Sequence, residues 1–335
     1  MIALDANGAD GGARVVADGA RRARVEVLAF GPAAELGDIP AAVHAPQFIS
    51  NHEQPLEALR ARPEASIAQA ARAVGEGRAE ALVSAGHTGA SLAASLEHIG
   101  RLDGIGRVAL GVLLPSRAGG RTLLLDVGAG LSASARRLVE HAHLGAAFMA
   151  AVAAVERPRV GLLSVGAEAA KGTSAVVEAG RELRGSSLRF AGNVEGGDLL
   201  AGAVDVAVCD GFTGNVALKA MEGAARLALG GVRDALRSSR RATVGGLLAR
   251  PALRRLERRL DPDAHGGAIL LGLRRPVVVA HGASSAAGIA AALVLARRAV
   301  DERMVERTTA ALAAAGVRSA PVGSFATGSA RGPRI

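Results

Sequence analysis

This chain contains no tryptophan and no tyrosine, and only six phenylalanines, so its core has to be built from alanine, valine and leucine packed around 44 glycines. Aromatic stacking of the kind that single-stranded nucleic acids need has neither Tyr nor Trp to use. The lone cysteine, Cys209, excludes an intramolecular disulfide and a multi-cysteine zinc site, and fits a reducing cytoplasm. No basic leader precedes an apolar stretch at the N-terminus, where Asp5 and Asp10 stand instead, so a signal peptide is not expected. One stretch, Val277 to Ala296, is free of Asp, Glu, Lys and Arg and long enough to span a membrane. HGASS interrupts it, and strand, Gly-Ser turn and Ala-rich helix are the expected reading. Lysine is scarce as well. Of forty basic residues only Lys171 and Lys219 carry a compact, rotatable ammonium that a guanidinium cannot imitate.

What remains is ample for a folded enzyme-sized unit: 335 residues, half of them apolar, enough for one large α/β domain or two smaller ones. The formal charge of +9 is unevenly spread. Between Arg233 and Leu260 nine arginines stand against Asp234 and Glu257, a local +7 that points to a partner-binding patch. The segment 233–262 has no strand signal. Leu253, Leu256 and Leu260 share a helical face, and Gly245-Gly246 and Pro251 interrupt it, so a basic helical hairpin is expected.

Elsewhere one unit recurs: an apolar run, a turn of Gly and small polar residues, then an Ala/Leu stretch at helical spacing. It is seen in IALDANGADGG (2–12), ALVSAGHTGASLAASL (81–96), LLLDVGAGLSASARRL (123–138), VGLLSVGAEAAKGTSAVV (160–177), VAVCDGFTGNVALKAM (206–221) and VVVAHGASSAAGIAAAL (277–293). Such alternation predicts an α/β fold of three layers, a mostly parallel sheet with helices on both faces, and six turns facing one edge. Backbone N–H groups and helix N-termini gathered there attract an anion, phosphate above all.

DVGAG at 126–130 alone admits two other cofactor readings, an S-adenosylmethionine loop or, with Ala133, a loose dinucleotide fingerprint. Both want an acid at the end of the next strand, roughly 20 residues on. The next strand-like run begins only at Val160.

The most specific stretch is DGFTGNVALKAMEG, Asp210 to Gly223. With AGNVEGGD (191–198), SAGHTGA (84–90), DANGAD, LLDVGAG, PRVGLLSVGAEAAKG, HGGAILLGL (265–273) and VVVAHGASS, all in order and spacing, the chain resembles the bacterial phosphate acyltransferase family (PlsX) over roughly residues 1–310. The resemblance implies transfer of a long-chain acyl group from acyl carrier protein to inorganic phosphate, giving acyl phosphate for phospholipid synthesis. It also implies a cytoplasmic homodimer in peripheral contact with membrane, with neither metal nor organic cofactor, and a fold similar to isopropylmalate dehydrogenase and phosphotransacetylase. A single catalytic domain is then expected over 1–315, with the protrusion at about 233–262 and a disordered tail over 316–335. The basic segment matches the family's helical protrusion: Leu247, Leu248, Leu253 and Leu256 offer apolar contact and the arginines attract anionic lipid or acidic carrier protein, the alternative being a solvated dimer-packing face. A small-acyl phosphotransacetylase using coenzyme A and a non-catalytic membrane scaffold are the competing functions.

Phosphate is already a nucleophile near neutral pH and a thiolate leaves readily, so no Ser-His-Asp triad is needed. Charge neutralisation, oxyanion donors and alignment are. Lys171, in a turn before a helix that Thr173 or Ser174 can cap, is the expected phosphate ligand. Asn193 and Asn215 are donors to phosphate or oxyanion, or else left-handed turn residues. Asp210 orients Lys171 or caps a turn, and Lys219 is a ligand or a surface residue. Gly86, His87, Thr88, Gly89, Gly128 and Gly214 offer turn backbone or donors, His87 being alternatively structural. Ser284 and Ser285 cap the last long helix or touch phosphate, and Asp5 and Asp10 hold neighbouring loops. Cys209 as an acyl carrier with His281 as its base is less favoured than a small buried cysteine. Against the family pattern, His87 stands where Asn is usual, Gly130 where Asn follows Gly-Ala, Ala167 for the first of two acids, Asn7 and Ala9 for Met and Gly, and His265 for Tyr.

Overall fold

The computed structural model describes residues 1–117, 119–261 and 266–317. His265, and the expected tail from residue 318 onward, lie outside the described residues. The strands are β1 (Ile2–Asp5), β2 (Val27–Gly31), β3 (Ala42–His44), β4 (Ala81–Ser84), β5 (Ala109–Pro115), β6 (Arg121–Leu125), β7 (Arg159–Leu163), β8 (Arg189–Val194), β9 (Val206–Val208), β10 (Ala268–Leu271) and β11 (Val277–Val279). The helices are α1 (Gly12–Ala23), α2 (Ala33–Leu36), α3 (Pro55–Ala61), α4 (Ser66–Gly75), α5 (Thr88–His98), α6 (Ala135–Val152), α7 (Ser174–Arg184), α8 (Asp198–Ala201), α9 (Gly211–Arg237), α10 (Arg240–Leu260), α11 (Ala286–Asp301) and α12 (Met304–Ala314).

β1, β4, β9 and β11 are buried at every residue, as expected of apolar runs covered by helices on both sheet faces. Successive side chains alternate between two cores: Ile2 and Leu4 face one, with α1, α6 and α11, while Ala3 faces the other, with α4 and α5. Because aromatic bulk is missing, helices come close. A methyl group on Gly19 of α1 would lie only 2.5 Å from Cβ of Ile289 on α11.

The strand order is β3-β2-β1-β4-β11-β10-β5-β6-β9-β7-β8. The first five strands are mutually parallel, and so are the last four. Between them the pairings β11 with β10, β10 with β5, and β5 with β6 are all antiparallel. Three reversals turn the second half over. The six Gly-rich turns therefore do not share one edge, as their common pattern suggests; three leave one half of the sheet and three leave the other, in opposite directions. Register brings both sets to one level, since Ser84 pairs with Val279, Val279 with Ala268, Ala268 with Val112, and Val112 with Leu124. The turns flank the two central strands from either side.

The basic hairpin is longer than its sequence suggests. Its first arm is the continuation of α9, which starts at Gly211, and its second, α10, runs through Gly245-Gly246 and Pro251 without a break. No residue of α10 is buried, so the Leu247 carbonyl that Pro251 cannot serve is open to water. Arg233 and Glu257 tie the arms at 3.3 Å, and the Arg259 guanidinium holds the base through the Ser116 carbonyl. Strand, turn and helix replace a membrane span at 277–296, and among the described residues no helix is long and apolar enough to cross a membrane.

Candidate active site

A cleft of about 1000 Å³ lies over one face of the central strands. Alternate residues make its floor, Leu110, Val112 and Leu114 from β5 and Ala268 and Leu270 from β10. One rim carries Gly86, Thr88, Gly89, His281 and Ser284; the other carries Gly128 and Asn215. Three helices begin beside it. His87 caps α5, Asp210 caps α9 and Ser285 caps α11, so the positive ends of three helix dipoles face the same space.

The DVGAG loop is built around its own acid. Asp126 is buried, and its carboxylate accepts the backbone N–H groups of Leu110 (3.1 Å), Gly128, Ala129 and Gly130 (2.9 Å each). The start of α9 is locked onto that loop: Gly211 donates to the Gly130 carbonyl at 2.9 Å, Asn215 Nδ2 donates to the Val127 carbonyl at 3.1 Å, and a methyl group on Gly214 would meet the Asp126 carbonyl oxygen at 1.9 Å. Gly130 is buried against Arg107, whose Nη1 lies 3.1 Å from where a Cβ on Gly130 would be, so a side chain there would have to displace the guanidinium.

Beneath the opposite rim, Ser84 Oγ donates to Asp5 at 2.7 Å and accepts the Gly86 N–H at 3.1 Å. Burial pushes the Asp5 carboxyl up to about 6, against hydrogen bonds from Ser84 and the Asn7 backbone. Cys209 is buried, its thiol directed to the Asp126 carbonyl at 3.4 Å and pushed up by burial, which removes it as a nucleophile.

Of the residues expected from sequence, the cleft gathers Gly86, Thr88, Gly89, Gly128, Asn215, Lys219, His281 and Ser284. His87, Lys171, Asn193, Asp210, Gly214 and Ser285 do not line it. Asn193 uses its amide on the carbonyls of Glu168 (2.8 Å) and Lys171 (3.2 Å), bracing the turn that carries Lys171. Asp210 accepts from Thr213 N and Oγ1 and has no contact with Lys171, so it is a helix cap. Lys219 is paired with Glu222 at 3.0 Å. Lys171 is exposed, and its ammonium has no hydrogen-bond or ion-pair partner among the described residues. Thr173 caps α7, as expected. Sequence reasoning missed the floor and one wall: Leu218, Met221, Ala225 and Leu229 of α9 line the cleft, and their spacing of three and four residues was the available signal.

A sheet whose two halves present helix N-termini across a shared cleft is an α/β architecture seen in phosphotransacetylases and in dehydrogenases alike. Among solved structures the chain resembles a phosphotransacetylase from Streptococcus pyogenes, TM-score 0.58 at 20% identity over 90% of this chain and 94% of that one, and a branched-chain phosphotransacylase from Enterococcus faecalis V583, TM-score 0.56 at 16% identity over 90% and 99%. These establish the fold. The family model described as fatty acid synthesis protein matches residues 1–307. A phosphate acyltransferase from Thermobifida fusca is 43% identical over 324 residues, 92% of this chain and 89% of its own length, and one from Heliobacterium modesticaldum is 47% identical over 263 residues, 78% of each. The chain belongs to the phosphate acyltransferase family and is an acyltransferase.

Proposed function

We propose that this enzyme transfers a long-chain fatty acyl group from acyl carrier protein to inorganic phosphate, forming acyl phosphate for phospholipid synthesis. One observation carries the reading: the cleft joins an anion-ready rim to an apolar trough. Leu218, Met221 and Leu229 continue the trough from the floor along α9. From Asn215 to Leu229 that helix extends about 21 Å at 1.5 Å per residue, the reach of a long acyl chain and far more than an acetyl group fills.

In this reading phosphate sits between the Gly86–Gly89 turn and the N-termini of α9 and α11, with Lys171 swinging in as its cation. A phosphate oxygen attacks the thioester carbonyl, the new O–C bond forms, the C–S bond breaks, and the thiolate leaves with the carrier. Turn N–H groups stabilise the developing oxyanion. Direct attack explains why a buried, protonated Cys209 costs the reaction nothing.

Arg233, Arg254 and Arg258 line the outer end of the cleft, where an acidic carrier protein would approach. Leu247 and Leu248, 62% and 80% exposed among arginines on α10, suit peripheral contact with an anionic bilayer. The exposed row Phe212, Val216 and Leu227 on α9 suits packing against a second copy of the chain, in the cytoplasm. The decisive comparison is phosphate-dependent thiol release from palmitoyl carrier protein and from acetyl-CoA, with acyl phosphate trapped by hydroxylamine. We expect product from the first donor; preference for acetyl-CoA, or no trapped product, sinks the reading.

A further inference from the structure

Two backbone N–H groups at the start of α5 converge on one ring nitrogen. Gly89 N lies 2.9 Å and Ala90 N 3.4 Å from Nδ1 of His87. Both are donors, so Nδ1 has to offer its lone pair and the ring proton belongs on Nε2. The ring also lies against Gly89, where a methyl group would sit 2.8 Å from both His87 Cε1 and Cγ of Pro55, the first residue of α3. The His87 carbonyl is fixed independently by Ser91, through its backbone N–H at 2.9 Å and its hydroxyl at 3.2 Å.

His87 is thus a cap whose acceptor exists only while the imidazole is neutral. A proton on Nδ1 would set N–H against N–H, and would add positive charge at the positive end of the α5 dipole. The residues on either side of it, Gly86, Thr88 and Gly89, line the cleft, whereas His87 does not.

We infer that neutral His87 is a positioning residue, holding the Gly86–Gly89 turn in the form that receives phosphate and releasing it when protonated. The inference rests on the reading of that turn as part of the phosphate seat. The charged group coupled to the ring is Glu53, ahead of α3, held low by the Ser50 backbone N–H and the Arg62 guanidinium. The other charged groups on elements packed against α5 are Glu57 and Arg60 of α3 and Arg72 of α4, with Glu97 and His98 at its own far end; β11 brings none, and Asp5 lies under Gly86. His87→Asn leaves all of these in place and supplies a cap that does not titrate.

The test is the phosphate KM of the full-length enzyme between about pH 8 and about pH 5.5. H87A should raise the phosphate KM roughly five- to tenfold at the alkaline end, the scale of one lost cap, with the gap to the wild type closing towards the acid end and little change in kcat. H87N should recover most of that and should lack the acid-side rise in KM that the wild type adds to the titration of phosphate itself. Parallel profiles for wild type and H87N overturn the inference. The tautomer is read without substrate from the two ring-nitrogen NMR shifts of His87, and an Nδ1-protonated neutral ring also overturns it. An enzyme that turns over no long-chain donor, yet shows the Nε2–H tautomer and Gly89 and Ala90 amides that lose exchange protection on acidification, fails the functional reading while the cap stands.

Discussion

The carboxylate of Asp126 accepts the backbone N–H of Gly130 at 2.9 Å, closing a five-residue loop around the side chain of its first member. Three further N–H groups end on the same carboxylate, so the acid that opens the cofactor-like DVGAG stretch is spent on its own loop. Replacing it by Asn keeps the shape but turns one acceptor oxygen into an NH₂ facing backbone donors. Asp126→Asn should lose about 2–4 kcal/mol of stability, from the loss of charge-assisted bonds and the burial of unsatisfied donors. A urea midpoint within error of the wild type, at equal m, would show that the loop is held by something else.

The amide of Asn193 holds the carbonyls of the turn that carries Lys171, whose ammonium has no partner among the described residues and, on the proposed reading, meets phosphate. Lys171→Ala should raise the phosphate KM roughly 10- to 100-fold, the scale of a charge-assisted hydrogen bond. Asn193→Ala should raise it less in the wild type and hardly at all once Lys171 is gone. A double-mutant cycle checks this: additive effects would mean that Asn193 acts on phosphate by a route separate from Lys171.

Much of the fold is written locally. Runs such as VAV at 206–208 and VVV at 277–279 are apolar at every position because both sheet faces are covered, and each ends in a turn whose cap is visible, Asp210 or Ser285. Strand direction is not written there. ALGVLLP at 109–115 and AILL at 268–271 look like the other strands, yet their antiparallel pairing turns half the sheet over and brings two sets of turns face to face. The site suffers the same blindness. His87 reads as a donor to phosphate or as a structural residue, and only the position of Gly89 N makes its Nδ1 an acceptor; Leu218, Met221 and Leu229 carry no cleft signal beyond their helical spacing until β5 and β10 are known to lie in the same cleft.

Asp5 and His141 tilt the pH dependence of stability in opposite senses. Burial raises Asp5 from 3.8 to about 6, so the native state binds the extra proton between those values and stability falls as pH rises through them. Burial lowers His141 from 6.5 to about 4; there the unfolded chain binds the extra proton, and stability is lost as pH falls from 6.5 towards 4. Asp5→Asn removes the first slope alone. Measured by urea unfolding from about pH 4 to about pH 6.5, D5N should gain about 3 kcal/mol on the wild type as pH rises, two pKa units at 1.36 kcal/mol each. A difference that stays constant over that range would place the Asp5 proton elsewhere.

On the proposed reading, the trough along α9 makes the acyl preference a matter of volume. Met221 lines the cleft and is half-buried against the apolar cluster that includes Leu110 and Leu114 of the floor, three residues from Leu218 and eight from Leu229. Met221→Trp adds bulk part-way along the path while leaving the phosphate rim untouched, so donors short enough to end before residue 221 should be spared. Each methylene denied its apolar contact costs about 0.8 kcal/mol, and two or three suffice for a roughly 10- to 50-fold fall in kcat/KM. We expect a loss of that size with palmitoyl carrier protein and less than about threefold with a hexanoyl donor, at an unaltered phosphate KM. Equal losses for both donors would put the acyl chain on another path, and a rise in phosphate KM alone would mean that the trough belongs to the anion site.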